Sequence, residues 1–199
     1  MERDWWLRTL LVLQQPRAVF EALRAGGDEE EAREEPILAL VLLVGIAAVL
    51  ATDAASRLMD DFAIDAIVVP VWAFVAGGIY GVAGYFGLGA LAYLGSRAAG
   101  SGYGYRRARH VLAFAAVPLA LTLLAWPVLL VAYGEDMFRS GGADAGAASA
   151  GFDVLVAATV AWSAMLLVLG LRTLNAWSWP RALLAALPAL AVPAAVYVF

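Results

Sequence analysis

The amino-acid sequence predicts an all-α fold, a polytopic membrane helical bundle with five transmembrane helices, and three observations predict it. The first is composition: of 199 residues, 63% are hydrophobic and only 15% charged, where soluble domains are about 25% charged, and the mean hydropathy is +0.80. The second is charge placement. All 13 arginines and 17 acids lie outside five windows, Pro36–Thr52, Ala66–Ser96, His110–Gly134, Val154–Leu171 and Ala182–Phe199, and about 17–25 apolar residues cross about 30 Å of hydrocarbon. The third is sidedness. Five crossings from a cytoplasmic N-terminus to an outside C-terminus put Arg3, Arg8, Arg17, Arg24, Arg33, Arg97, Arg106, Arg107, Arg109, Arg172 and Arg181 inside and only Arg57 and Arg139 outside, the excess that cytoplasmic loops carry. The location implied is the cytoplasmic (inner) membrane, with multiple passes.

Residues 1–35 form a cytoplasmic segment of amphipathic or interfacial character. A secretory signal has a short basic start before its apolar stretch, whereas here many acids precede the first window. Trp6, Leu10 and Leu13, then Pro16, Val19, Phe20 and Leu23, recur at helical spacing, which predicts two short helices. Pro16 suits the first turn of the second, and Gly26-Gly27 marks its stop. Two readings of this face stay open: Trp5, Trp6 and the leucines lie in the membrane interface, or they pack under the bundle. The acidic run DEEEAREEP sits before the first spanning helix, where carboxylates meet the positive end of its dipole, and it is a weak cation site because consecutive acids rarely converge on one ion.

The membrane domain, 36–199, has spans near 36–54, 66–95, 110–133, 153–172 and 181–199. The second window, 31 residues long, is too long for one upright crossing and too short for two. Splitting it would send Arg106–Arg109 outside, so it reads as one helix that is tilted, kinked at Pro70 or projecting past the bilayer. Within it Ala73, Gly77, Gly81 and Gly84 share a face, and small faces let backbones approach in lipid. A packing helix is the first reading and a homo-oligomer the second. Pro118 and Pro127 in the third span, and Pro188 with Pro193 in the fifth, each remove a backbone donor, which predicts kinks. The loop between the third and fourth spans, GEDMFRSGGADAGAASAG, is a flexible linker by composition.

Several functions are excluded by what the spans lack. Without Cys there is no disulfide, thiolate nucleophile or Cys-bound zinc. A net charge of -4 gives no reason for a nucleic-acid partner. No ionisable residue lies deep in any window, so proton relays and voltage sensing have no carrier. Asp153 and His110 fall at opposite ends, and no Ser–His pair, HExxH or aspartate pair marks an enzyme. No metal or other cofactor is implied. The positive signal is SGYGYRRARH, residues 101–110. Arg106, Arg107 and Arg109, with Arg97 before them and His110 after, are placed to hold anionic lipid headgroups or a partner; the plainer reading is that they fix orientation.

Four stretches carry a family resemblance: QQPRAVFEALRA (14–25), GYFGLGALAYLGS (84–96), YRRARHVLAFAAVPLAL (105–121) and WSAMLLVLGLRTLNAWSWPRALLAA (162–186). They resemble the Yip family (Ypt/Rab-interacting membrane proteins), in its prokaryotic branch. That resemblance implies five spans with a cytoplasmic N-terminus, and it brings no catalytic residue. The absence of Lys and abundance of Ala fit a GC-rich bacterial genome. The expected function is non-enzymatic: organising membrane lipids or partner proteins at the cytoplasmic face. The rival is a channel or transporter for small uncharged solutes, lined by Tyr80, Tyr85 and Tyr93 of the second span and by the proline-broken third.

Overall fold

The structure, a computed structural model, describes residues 9–26, 35–52, 59, 60 and 67–198, and all regular structure among them is helical. A helical stretch at 9–14 leads into α1 (Pro16–Ala25) and α2 (Glu35–Leu50). Then come α3 (Val68–Ala98), α4 (Tyr105–Ala115), α5 (Val117–Leu121), α6 (Ala125–Tyr133), α7 (Ala147–Asn175) and α8 (Trp179–Val198). A 3-10 turn, Thr122–Leu124, joins α5 to α6 and another, Gly134–Phe138, follows α6. Among the described residues three helices are long and apolar enough to cross a membrane: Val68–Ala98, the run Tyr105–Phe138, and Ala147–Asn175. Ile37–Leu50 and Trp179–Val192 are apolar and shorter.

Pro16 opens α1 where its missing donor costs nothing, and Gly26 closes it by donating to the Ala22 carbonyl. Of the two readings of this amphipathic segment, α1 takes the packed one. Val19 and Phe20 are buried, and Val12 before them is fully enclosed, while Leu10 and Leu11 stay exposed. Phe20 lies against Gly170 of α7, where a Cβ would meet its ring. Trp5 and Trp6, and the acidic run up to Glu34, lie outside the described residues.

Consecutive long helices run antiparallel. Val41, Gly45 and Ile46 of α2 face Gly81 and Gly77 of α3, and Gly89 of α3 faces Arg109 of α4. At the same end Gly95 faces Ala185 of α8. The α2–α3 contact is the most extensive among the described residues, and glycine permits it. A Cβ on Gly45 would strike the Gly77 carbonyl and the Gly81 backbone, and one on Gly77 would strike the Ile46 backbone. Close backbone approach brings dispersion contacts that lipid cannot match at that distance. The small face expected on the second span is therefore used through Gly77 and Gly81, beside a buried Ala73, whereas Gly84 faces open space. Gly45, its counterpart on α2, is a lone glycine in a run of Leu and Val and so shows no small-residue spacing in the sequence.

The prolines separate by position. The kink expected at Pro70 is not there: α3 begins at Val68, so Pro70 occupies the first turn, where no intrahelical donor is lost. Helix α3 is instead one unbroken helix of 31 residues that runs past the apolar window at Arg97. Pro118 does sit at a break, since α4 ends at Ala115 and α5 restarts with proline in its first turn. Pro127 follows the 3-10 turn in the first turn of α6. Between these prolines Thr122 Oγ1 donates to the Leu119 carbonyl at 2.7 Å, which serves an acceptor where the ladder is disturbed. Helix α8 runs through Pro188 without a change of type, and the proline ring packs beside Gly95.

Outward-facing apolar side chains are abundant: Val131 is 89% exposed, Leu124 70% and Val154 70%. Soluble monomers rarely expose large contiguous apolar patches, so these faces require lipid. At the end where α2 stops and α3 starts, Met59 and Val69 form a small cluster with Trp72 and Phe138. Asp60 ties it down by accepting from the Ser140 hydroxyl at 2.6 Å and the Ser140 amide at 2.9 Å, while Arg139 donates to the Met59 carbonyl at 3.0 Å.

Gly45→Leu or Gly77→Leu is expected to destabilise the bundle by at least the about 1–3 kcal/mol of overpacking, and Gly84→Leu to be near neutral, as measured by thermal unfolding in detergent. The Ser140 hydrogen bonds, aided by Arg139, hold the Asp60 carboxyl below its ordinary value of 3.8. Its clasp is therefore complete above that value and weakens as pH falls through the lowered one. The protection of the Ser140 amide from hydrogen exchange, taken relative to the intrinsic rate at each pH, should be high at neutral pH and fall on strong acidification, and Asp60→Asn should remove that pH dependence.

Candidate functional site

The chemistry-bearing side chains gather at the end opposite Asp60, where α3 and α7 finish and α4 and α8 begin. Helix α4 starts after Gly104, whose extended backbone turns the chain from the 99–104 connection into Tyr105. Its first turns then present Arg106, Arg107, Arg109 and His110 at different angles, and their surroundings differ accordingly. Arg106 is exposed and Arg107 half-buried. Arg107 donates from Nη2 to the Gly26 carbonyl at 3.0 Å and lies 4.8 Å over the Tyr103 ring, so it pins the end of α1 to the start of α4.

Arg109 is buried, 7% exposed. Its guanidinium sits among three rings, 4.6 Å from Phe86, 4.8 Å from Tyr105 and 5.0 Å from Tyr85. Gly89 makes room for the arginine stem, since a Cβ there would meet its Cγ. The Tyr105 hydroxyl donates to the Phe86 carbonyl at 2.7 Å, which holds one wall of the cage in place. Cation–π attraction reaches about 2 kcal/mol when the cation is desolvated, and here it fastens α3 to α4. His110 is buried beside it. The cluster that the sequence presents as one basic patch thus divides into an outer pair, Arg106 and Arg107, and an inner pair, Arg109 and His110.

A second basic group, which sequence reasoning passed over as a site, lies at the α7–α8 turn. Helix α7 ends at Asn175 and is capped by Ala176, a non-glycine residue in the left-handed region with φ 53°. The Trp177 amide closes the turn on the Arg172 carbonyl at 3.0 Å, in the manner of a Schellman cap. Arg172 lies 4.6 Å over the Trp179 ring and Arg181 4.8 Å over the Trp177 ring. Arg181 Nε also donates to the Ala99 carbonyl at 2.8 Å, and Arg97 Nη1 to the Ser101 carbonyl at 3.2 Å. Gly100, at φ 87°, leaves the space that Arg181 fills. Ser101 Oγ donates to Asn175 Oδ1 at 2.6 Å, which joins this turn to the end of α3. The signal was in RTLNAWSWPR: two tryptophans between two arginines at a span boundary, an interfacial anchor pattern.

Elsewhere the polar groups are dispersed. Tyr80 is exposed, Tyr85 buried and Tyr93 half-buried, so the tyrosines of the expected solute path do not line one surface. Thr159 donates to its own helix at Val156, as Thr122 does at Leu119. Among the described residues no three His, Asp or Glu side chains converge as a metal site requires.

A family model described as the Yip1 domain matches residues 10–199 of the chain. No curated protein and no solved structure matches it.

Tyr105→Phe is expected to cost about 1 kcal/mol through the lost bond to Phe86. Gly89→Leu should cost more, because it expels Arg109 from its cage. Thermal unfolding in detergent checks the order.

Proposed function

The chain belongs to the Yip1 domain family, and from that premise we propose that it is a non-enzymatic, multi-pass protein of the cytoplasmic membrane that organises lipids or partner proteins at its cytoplasmic face. In this reading α2, α3, the run α4–α6, α7 and α8 are five crossings. The antiparallel order of neighbouring helices supports that count, and the arginine bias supports a cytoplasmic N-terminus. The observation that carries the proposal is the outer basic edge at the start of α4. Arg106 is exposed there, and Arg107 is held on Gly26 and Tyr103, beside an α1 that is docked on the bundle. Arg109 acts from inside as a positioning residue, fixing α4 against α3, with His110 buried beside it.

The chemistry is that of a surface. Arginine presents a rigid fork suited to phosphate or carboxylate, and each basic residue near an anionic membrane contributes roughly 1 kcal/mol. Arg106→Gln with Arg107→Gln is expected to lower the anionic lipid or partner protein that co-purifies in mild detergent, read by mass spectrometry. Unchanged lipid and protein content in a normally folded double variant would overturn the proposal.

A further inference from the structure

The arginines at the α7–α8 turn point to a site distinct from the Arg106–Arg107 edge, and it shares with the reading above only the placement of this end at a membrane surface. We infer that Arg172 and Arg181, with Arg97, bind the phosphate headgroup of an anionic phospholipid between Trp177 and Trp179.

Their contacts put the three guanidinium groups around one turn. Arg97 and Arg181 rest on carbonyls two residues apart, Ser101 and Ala99, and Arg181 and Arg172 rest on tryptophans two residues apart. None of the three has a carboxylate partner among the described residues. Arg172 Nε is buried with no hydrogen-bond acceptor, while Arg172 as a residue is only half-buried. Three like charges gathered at one turn, one with a buried donor unserved, call for an anionic oxygen. Each guanidinium is already oriented by a ring or a carbonyl, so little freedom remains to be lost on binding.

A phospholipid fits better than a free phosphate because of what lies beneath the turn. Leu183, Leu184 and Leu187 of α8 face outward at 49%, 66% and 53% exposure, and Leu94 of α3 at 58%. An acyl chain attached to a phosphate held at Arg172 and Arg181 would run down this apolar surface. Trp179, itself 45% exposed, stands at the level where headgroup meets hydrocarbon.

The test uses the full chain in nanodiscs doped with lipids brominated on their tails, with quenching of tryptophan fluorescence as the readout and Trp177→Phe/Trp179→Phe to assign the signal. Brominated phosphatidylglycerol should quench these two residues at several-fold lower content than brominated phosphatidylcholine. Arg172→Gln/Arg181→Gln should remove most of that preference, about fivefold for each arginine, while Arg106→Gln/Arg107→Gln leaves it intact. If the double variant does not purify as monodisperse protein, Arg172→Gln alone decides, since it removes no hydrogen bond from the fold. Equal quenching by the two lipids in the unaltered chain, or a preference that persists in the Arg172 variant, overturns the site. Loss of the preference on adding millimolar inorganic phosphate overturns the lipid and assigns the arginines to a soluble anion.

Discussion

Hydrocarbon offers no hydrogen bond, and the rest of this structure follows from that constraint. Every backbone polar group inside the slab must find its partner within the protein, which is why the described residues are helical wherever they are regular. It also explains where irregularity is tolerated. The disturbed stretch between Pro118 and Pro127 is repaired locally by 3-10 bonding and by the Thr122 hydroxyl. Side chains obey the same rule: Thr122 and Thr159 turn back onto their own helices, and the guanidinium groups collect where the apolar windows end.

With the hydrophobic effect weak between helices in lipid, association falls to close packing and to a few polar fastenings. Both are present, at different depths. Glycines draw α2 and α3 together in the middle of the bundle, and Arg109 in its ring of aromatics fastens α3 to α4 near one surface. The Asp60–Ser140 clasp closes the opposite surface. The core is accordingly richest in the half near the arginines, where α1 adds Phe20 to the packing of Val111 and Gly170.

Much of this was legible from residue order. The apolar windows located every long helix, because a charge cannot sit mid-slab, and Pro16 and Gly26 marked the ends of α1. Boundaries were less legible, since helices continue past the last apolar residue while arginine heads reach toward the interface: α3 overruns its window to Ala98, and α4 begins five residues before its own. Pro70 misled because a proline reads as a kink only when the helix start is known. The basic cluster was visible, but not its division. Whether Arg109 points inward depends on Gly89, twenty residues away on another helix, and no periodicity reports that. The Trp177–Trp179 turn is plain in the residues, but its arginines read as charge bias until the fold sets them on the tryptophan rings.

Ala176 has a consequence for how that turn behaves. An alanine in the left-handed region lies roughly 1–2 kcal/mol above its preferred conformations, so the α7–α8 connection does not hold its shape by intrinsic preference. It is kept bent by its neighbours: the Trp177 amide on Arg172, the stacked guanidinium groups and the Ser101–Asn175 bond. The corner is therefore strained at a single residue and shared among several restraints, so the loss of any one of them leaves the others holding it.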